Sequence, residues 1–199
     1  NLGFSHCCIE DIGILRTIPG MTIISPSDSL ETVKALEASV KSDKSIYIRL
    51  TGSSNNPIVN DKDYKFEIGK SIQLREGEDV TIFCAGAMVY NCLEAAKTLN
   101  EKNISCSVIN MHTIKPIDKE AIKKACDRSK MIVSVEEHNI IGGLGSAISE
   151  YKATLDSSPK QLFIGVEDIY SKGGSYSFLK EKHGLTSDKI INNILDNLK

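Results

Sequence analysis

Hydrophobic residues follow two alternating patterns along this chain. Short runs rich in β-branched residues, such as Met131–Val135, are typical of buried strands. Between these runs, apolar residues recur every three or four positions, as they do on one face of a helix. The predicted strands cover residues 21–25, 45–50, 68–74, 80–85, 105–111, 131–135 and 162–166. The predicted helices cover residues 9–16, 30–40, 87–102, 118–128, 144–155 and 190–198.

This alternation predicts an α/β protein whose mostly parallel sheet has helices on both faces. A polar, turn-rich segment interrupts the pattern, and we place a linker at residues 54–67. For residues 1–53 the pattern predicts only the carboxyl-terminal part of an α/β domain. For residues 68–199 it predicts a complete three-layer αβα domain with a mostly parallel, mixed sheet of about five strands. Because the chain opens without methionine in a predicted loop, we expect it to be a piece of a longer protein.

Composition narrows the class of partner. The net charge is -2 and no run of lysine or arginine stands out, so nothing favours binding to nucleic acid or to an anionic membrane surface. The apolar runs have the length of strands, which is too short for a membrane span. The 6 cysteines include no C-x-x-C pair, and we expect a reducing, cytoplasmic environment.

The segment Glu136–Ala147 combines acids, a histidine and glycines between a predicted strand and a predicted helix. A dinucleotide-binding fingerprint starting at Gly143-x-Gly145 requires a third glycine at position 148, where the chain has Ile148. The glycines therefore predict a tight turn that lets the helix pack close to the sheet. The group Glu136, Glu137 and His138 raises the alternatives of a metal site, an acid–base cluster or a purely structural role.

Three sets of residues together resemble one enzyme family. The first comprises Gly3–His6, Glu10–Ile12, Leu15–Arg16, Ile18–Pro19, Met21–Thr22 and Pro26–Asp28. The second is Ile46–Leu50, and the third comprises Gly86, Cys92–Ala96, Thr113–Asp118, Glu136–His138 and Gly142–Ala147. In this order they resemble the carboxyl-terminal half of transketolase-type enzymes, which depend on thiamine diphosphate. The first set resembles the G-x-T/S-H…E-D-I…L-R-x-I-P-x-M-T-V…P-x-D segment of that family's pyrimidine-binding domain. The second resembles the last strand of the same domain, and the third resembles the family's separate carboxyl-terminal domain.

The resemblance implies a dimeric enzyme that binds thiamine diphosphate across a subunit interface. In that family a G-D-G…N motif holds the diphosphate and a divalent metal such as Mg²⁺, and this motif is absent from the sequence. The resemblance places the glutamate that activates the pyrimidine ring upstream of Asn1. We therefore expect these residues alone to be inactive and to need a homodimer or a split-subunit partner carrying the diphosphate-binding domain. The resemblance also implies no chemistry for Glu136–His138, so no metal ligand is assigned.

The same resemblance assigns His6 to the active site, as a catalytic residue that also binds substrate. It places Arg49 at the substrate or in a supporting role. Two positions depart from the family pattern: Leu2 replaces an aspartate that contacts substrate hydroxyls, and Gly52 replaces an arginine that clamps a substrate phosphate. A glycine cannot replace such a bidentate contact. We therefore expect a modified sugar or another α-keto donor.

The leading functional prediction is transfer of a two-carbon ketol unit between sugar or sugar-phosphate substrates. Two other enzymes share these domains and stay open as alternatives, namely the beta subunit of a 2-oxoacid dehydrogenase and deoxyxylulose-phosphate synthase. A further alternative, from a different class, is a non-catalytic dimerisation module.

Overall fold

The computed structural model describes residues 8–51, 56–60 and 64–198. In the first part of the chain it contains α1 (Asp11–Arg16), β1 (Thr22–Ile24), α2 (Ser29–Val40) and β2 (Ile46–Ile48). The second part begins with β3 (Ile72–Arg75), β4 (Val80–Cys84), α3 (Met88–Glu101), β5 (Cys106–Asn110), β6 (Thr113–Lys115) and α4 (Lys119–Arg128). It ends with β7 (Met131–Asn139), α5 (Leu144–Lys152), β8 (Lys160–Val166), α6 (Tyr176–Lys182) and α7 (Ser187–Asn197).

The large sheet has five strands in the order β3-β5-β4-β7-β8. Strand β3 runs antiparallel to β5, and the other neighbouring pairs are parallel. The central strands β4 and β5 are buried along their whole length, as expected for a parallel sheet covered on both faces. The predicted mixed, mostly parallel sheet is therefore confirmed.

Alternating side chains of β4 point into two separate cores. Val80, Ile82 and Cys84 pack with residues of α3 and α7 on one face. Phe83 packs with residues of α4 and α5 on the other face, Ile122 and Ile148 among them. The helices thus form two outer layers around the sheet, which confirms the three-layer αβα architecture.

A second sheet joins the two parts of the chain. Its order is β2-β1-β6, with β1 parallel to β2 and antiparallel to β6. Strand β6 belongs to the second part, and the sequence analysis did not predict it. Ile12 and Ile23 of the first part lie in the same core as Met111 and Ile114 of the second. The two parts are therefore held together by paired strands and by shared apolar packing.

Two other elements differ from the sequence prediction. Strand β7 continues to Asn139, four residues beyond the predicted end at Val135, because Glu136 and His138 are buried on it together with the apolar residues. Helix α6 was not predicted. None of its residues is buried, so it lacks the buried apolar face by which the other helices were recognised. Along residues 8–51, 56–60 and 64–198, no helix combines the length and the apolar character needed to cross a membrane.

Candidate functional site

Three residues singled out in the sequence, Arg49, Glu136 and His138, converge with other polar groups where the first part of the chain meets the second. Helix α1 contributes Asp11 and Gly13, the end of β2 contributes Tyr47 and Arg49, and the end of β7 contributes a buried acid and a buried histidine. Of the other predicted site positions, His6, Leu2 and Gly52 lie outside the described residues. Their roles stay predictions.

The guanidinium group of Arg49 is engaged by the protein itself. Its Nε donates to both carboxylate oxygens of Asp11, at 2.9 and 3.2 Å, and its Nη2 donates to the carbonyl oxygen of Cys8 at 2.9 Å. The hydroxyl of Tyr47 donates to the same carboxylate at 2.8 Å. Burial, followed by this carboxylate, raises the pKa of Tyr47 to about 12, so the phenol stays protonated. Arg49 therefore organises the beginning of α1, while its contact with a substrate stays a prediction.

His138 connects the two parts of the chain as a neutral imidazole. Its side chain is fully buried, and burial lowers its pKa. The backbone N–H of Gly13 donates to Nε2 at 3.3 Å, and Nδ1 lies 2.6 Å from the carbonyl oxygen of Asn139. Since Nε2 accepts a hydrogen bond and the carbonyl oxygen of Asn139 needs a donor, these contacts assign the proton to Nδ1. Both ring nitrogens of His138 are thus occupied by backbone groups.

Glu136 accounts for the glycines that follow it. Its carboxylate accepts hydrogen bonds from the backbone N–H groups of Leu144 at 2.6 Å and Gly145 at 2.9 Å, at the beginning of α5. A Cβ atom on Gly143 would lie 1.9 Å from the carboxylate, so only glycine permits this approach. Burial raises the pKa of Glu136 to about 7, although the helix N-terminus favours the charged form. The glycine turn therefore brings a helix end to a buried acid, as the tight-turn interpretation expects.

In the described part of the chain, Glu136 and His138 form hydrogen bonds with backbone groups and not with each other. Oε2 of Glu136 and Oδ1 of Asp11 each lie 3.8 Å from a different nitrogen of His138. Among residues 8–51, 56–60 and 64–198, no group of three or more histidine, cysteine, aspartate or glutamate side chains is arranged to hold a metal ion.

A second polar cluster, centred on Glu31 in α2, was missed by the sequence analysis. This glutamate is almost fully buried and accepts hydrogen bonds from the N–H of Ser27 at 2.7 Å, the amide of Asn110 at 2.9 Å and the hydroxyl of Tyr64 at 3.1 Å. Its partners come from both parts of the chain and lie far apart in sequence. No local pattern of residue types could therefore have shown this cluster.

Beside this cluster, a cavity of about 220 Å³ opens at the carboxyl ends of the parallel strands β1 and β2. Its lining includes Ser27 and Asp28, which follow β1, and Thr51, which follows β2. Ligands commonly bind at this edge of a parallel sheet, so the cavity can receive polar groups of a ligand.

Two family models match the chain in succession. The model described as the transketolase pyrimidine-binding domain matches residues 2–56, and the one described as the transketolase C-terminal domain matches residues 69–190. The chain belongs to the transketolase family. This confirms the resemblance found in the sequence, in which the same two domains follow each other in this order.

Two transketolase relatives match almost the whole chain. A putative transketolase C-terminal section from Methanocaldococcus jannaschii is 38% identical over 198 residues, which cover 99% of this chain and 62% of the relative. The SqwH subunit of a 6-deoxy-6-sulfo-D-fructose transketolase from Clostridium sp. MSTE9 is 39% identical over 189 residues, or 95% of this chain and 58% of the relative. The chain thus spans about three fifths of the length of these curated relatives.

Solved transketolase structures share the fold. A structure described as an inactive beta4 tetramer of a split-gene transketolase matches with a TM-score of 0.90 and 35% identity, covering 98% of this chain and 62% of that one. The transketolase of Campylobacter jejuni matches with a TM-score of 0.72 and 21% identity, covering 98% of this chain and 29% of that one. The second match shows the fold alone.

Proposed function

We propose that this chain is the carboxyl-terminal section or subunit of a thiamine-diphosphate-dependent transketolase that transfers a two-carbon ketol unit between sugar-type substrates. The observation that carries the proposal is the match to the split-gene transketolase structure over 98% of the chain, with a TM-score of 0.90. Because that structure is described as an inactive tetramer of one subunit type, we also propose that this chain is inactive without a partner subunit.

The cofactor belongs mainly to the proposed partner. The sequence contains no G-D-G…N motif, and the described residues provide no cluster of three side chains for a divalent metal. The residues present therefore do not fit the diphosphate and its metal, which we assign to the partner's diphosphate-binding domain. When bound, thiamine diphosphate supplies the carbanion chemistry of the reaction.

His6 is the proposed catalytic residue of this chain. An imidazole can donate a hydrogen bond to a developing alkoxide on the substrate, and it can accept or return a proton near neutral pH. The family match over residues 2–56 includes this position. The carbonyl of Cys8, two residues later in the chain, accepts a hydrogen bond from Arg49.

The proposed substrate is a modified sugar. Leu2 and Gly52 remove the polar groups that would contact sugar hydroxyls and a terminal phosphate. Relatives at 39% and 35% identity are named for 6-deoxy-6-sulfo-D-fructose and for apulose-4-phosphate, which are both unusual sugars. The cavity beside Ser27 lies at the sheet edge where ligands bind, and we assign it to hydroxyl groups of this substrate.

The decisive experiment combines the chain with a subunit that carries the diphosphate-binding domain, thiamine diphosphate and Mg²⁺. Ketol transfer is assayed with sulfonated, branched and phosphorylated ketoses, and oxidative decarboxylation is assayed with 2-oxoacids. We expect ketol transfer by the pair and none by either subunit alone. Replacing His6 with alanine should lower kcat by at least about 100-fold, whereas replacing His183, to which we assign no role, should leave it unchanged.

Several results would contradict the proposal. Turnover by this chain alone would show that no partner is required. Decarboxylation of 2-oxoacids without ketol transfer would favour the 2-oxoacid dehydrogenase alternative. A stable pair that binds thiamine diphosphate and transfers no ketol unit from any donor would exclude transketolase activity.

A further inference from the structure

We propose that the second part of the chain positions the catalytic histidine, with His138 and Asn139 at the end of β7 acting as an anchor for residues 8–13. This inference rests on the proposed function, because it takes His6 as the catalytic residue. It gives the carboxyl-terminal domain a task in catalysis although none of its described side chains is assigned to the reacting atoms.

Two hydrogen bonds attach both ends of the segment Ile9–Gly13 to β7. At one end, the backbone N–H of Asn139 donates to the carbonyl oxygen of Ile9 at 2.7 Å. At the other end, the backbone N–H of Gly13 donates to Nε2 of His138 at 3.3 Å. The first of these bonds lies three residues after His6 in the chain. A displacement of β7 would therefore move the backbone of Ile9, three residues after His6 in the chain.

The same segment has further contacts with both parts of the chain. Arg49 donates to the carbonyl oxygen of Cys8 and to the carboxylate of Asp11. One carboxylate oxygen of Glu10 accepts a hydrogen bond from the N–H of Ile9. The other accepts a hydrogen bond from the hydroxyl of Tyr170. The segment is thus fixed between β2 on one side and residues of the second part on the other.

His138 is suited to anchoring and not to proton transfer. It is fully buried, and both ring nitrogens are occupied by backbone groups. The charged groups that face it are Asp11 and Glu136, each 3.8 Å away, and Arg49, which contacts Asp11. The neutral imidazole offers one acceptor in a fixed direction, which is what the N–H of Gly13 requires. We therefore class His138 as a positioning residue.

The anchor predicts a particular kinetic signature. Misplacing a reacting group by about 1 Å can lower the rate about 100-fold. Loss of the acceptor at position 138 should act on kcat through the position of His6 and leave the affinity for substrate nearly unchanged. A purely structural role of His138 would instead lower the amount of folded enzyme without changing kcat per folded molecule.

The test compares H138L with H138Q in the complex with the partner subunit. Leucine has a similar volume and no acceptor, so we expect kcat to fall about 10- to 100-fold while KM changes less than about threefold. The side-chain oxygen of glutamine can accept the Gly13 hydrogen bond, so H138Q should retain kcat within about threefold. The matched control is T81V, which removes a buried 2.6 Å hydrogen bond to Ser129 within the second part of the chain, away from α1.

A second measurement does not depend on activity. Hydrogen exchange of residues 9–13 should be about tenfold faster in H138L than in the wild type and unchanged in T81V. The inference is wrong if H138L exchanges these amides at the wild-type rate, or if it keeps the wild-type kcat. It is also wrong if H138Q and H138L lose kcat equally. Absence of ketol transfer in the wild-type complex would instead refute the proposed function, and the exchange result would still decide whether the anchor exists.

Discussion

The Nε atom of Arg49 lies 2.9 Å from Oδ2 of Asp11, in an ion pair that joins the end of β2 to the first turn of α1. The Arg49 side chain is only 14% exposed and the Asp11 side chain only 9%. The Asp11 carboxylate also accepts a hydrogen bond from the hydroxyl of Tyr47. The arginine that follows β2 is therefore part of the protein's internal structure.

Replacing Arg49 with methionine should destabilise the chain by about 2–4 kcal/mol, because it leaves the Asp11 carboxylate buried without its cation. Lysine should recover only part of this loss, since a single ammonium group cannot bind Asp11 and the carbonyl of Cys8 in the same geometry. Urea unfolding of the two variants measures the difference. The control is K123A, which breaks an exposed i,i+4 pair with Asp127 and should cost about 0.5 kcal/mol or less. Equal losses in R49M and K123A would contradict the structural role.

Glu136 should make folding stability depend on pH. Burial raises its pKa from 4.5 to about 7 in the folded state, so between these values the folded state binds more protons than the unfolded state. The stabilising contribution is therefore complete below about pH 4.5 and is lost as the pH rises through 7. The corresponding difference is about 3 kcal/mol. The groups of opposite charge that act on this carboxylate are Arg49 and Arg16, and the neighbouring His138 is neutral.

The measurement compares the wild type with E136Q by chemical denaturation at pH 5 and pH 8. The pKa values of Glu31 and Glu137 are also raised, and both residues are present in both proteins. Their contributions to the pH dependence therefore cancel in the difference between the two free energies of unfolding. We expect the stability of the wild type relative to E136Q to fall as the pH rises. Stability curves that stay parallel across this range would show that Glu136 does not titrate there.

Gly52 should limit the use of phosphorylated sugars. G52R restores the arginine of the family pattern, and a charge-assisted contact with a phosphate should raise kcat/KM for phosphorylated ketoses about tenfold or more. S53R carries the same charge one residue further along and serves as the control. Equal activity of G52R and the wild type with phosphorylated ketoses would contradict the assignment of this position.

The elements of the fold could be predicted wherever a segment carries its own apolar pattern. The predicted strands and helices of the described region are present. Asp118 caps α4 by accepting a hydrogen bond from the N–H of Ala121 at 3.2 Å. Prediction failed where the stabilising partners are remote. Strand β6 has three residues and depends on β1, and the last turns of β7 hold Glu136 and His138, whose partners lie in α5 and α1.

Helix α2 shows a different limit of sequence patterns. Its apolar stripe located the helix, yet Leu30, Val33, Leu36 and Val40 are exposed, while Glu31 and Ala35 are buried. Periodicity indicates that a helix has two different faces, and only the surrounding structure determines which face is buried. The candidate site has the same dependence. The sequence alone indicated Arg49 and Glu136–His138 as notable residues, whereas their partners depend on how the two parts of the chain pack together.

The antiparallel pairing of β6 with β1 also bears on how such enzymes can be divided in evolution. A gene cut at the predicted linker would leave β1 with an open hydrogen-bonding edge and would expose Ile23 and Ile114 to water. A cut upstream of both domains avoids this exposure. We therefore expect the pyrimidine-binding and carboxyl-terminal domains to be inherited as a pair when a transketolase gene is split or fused.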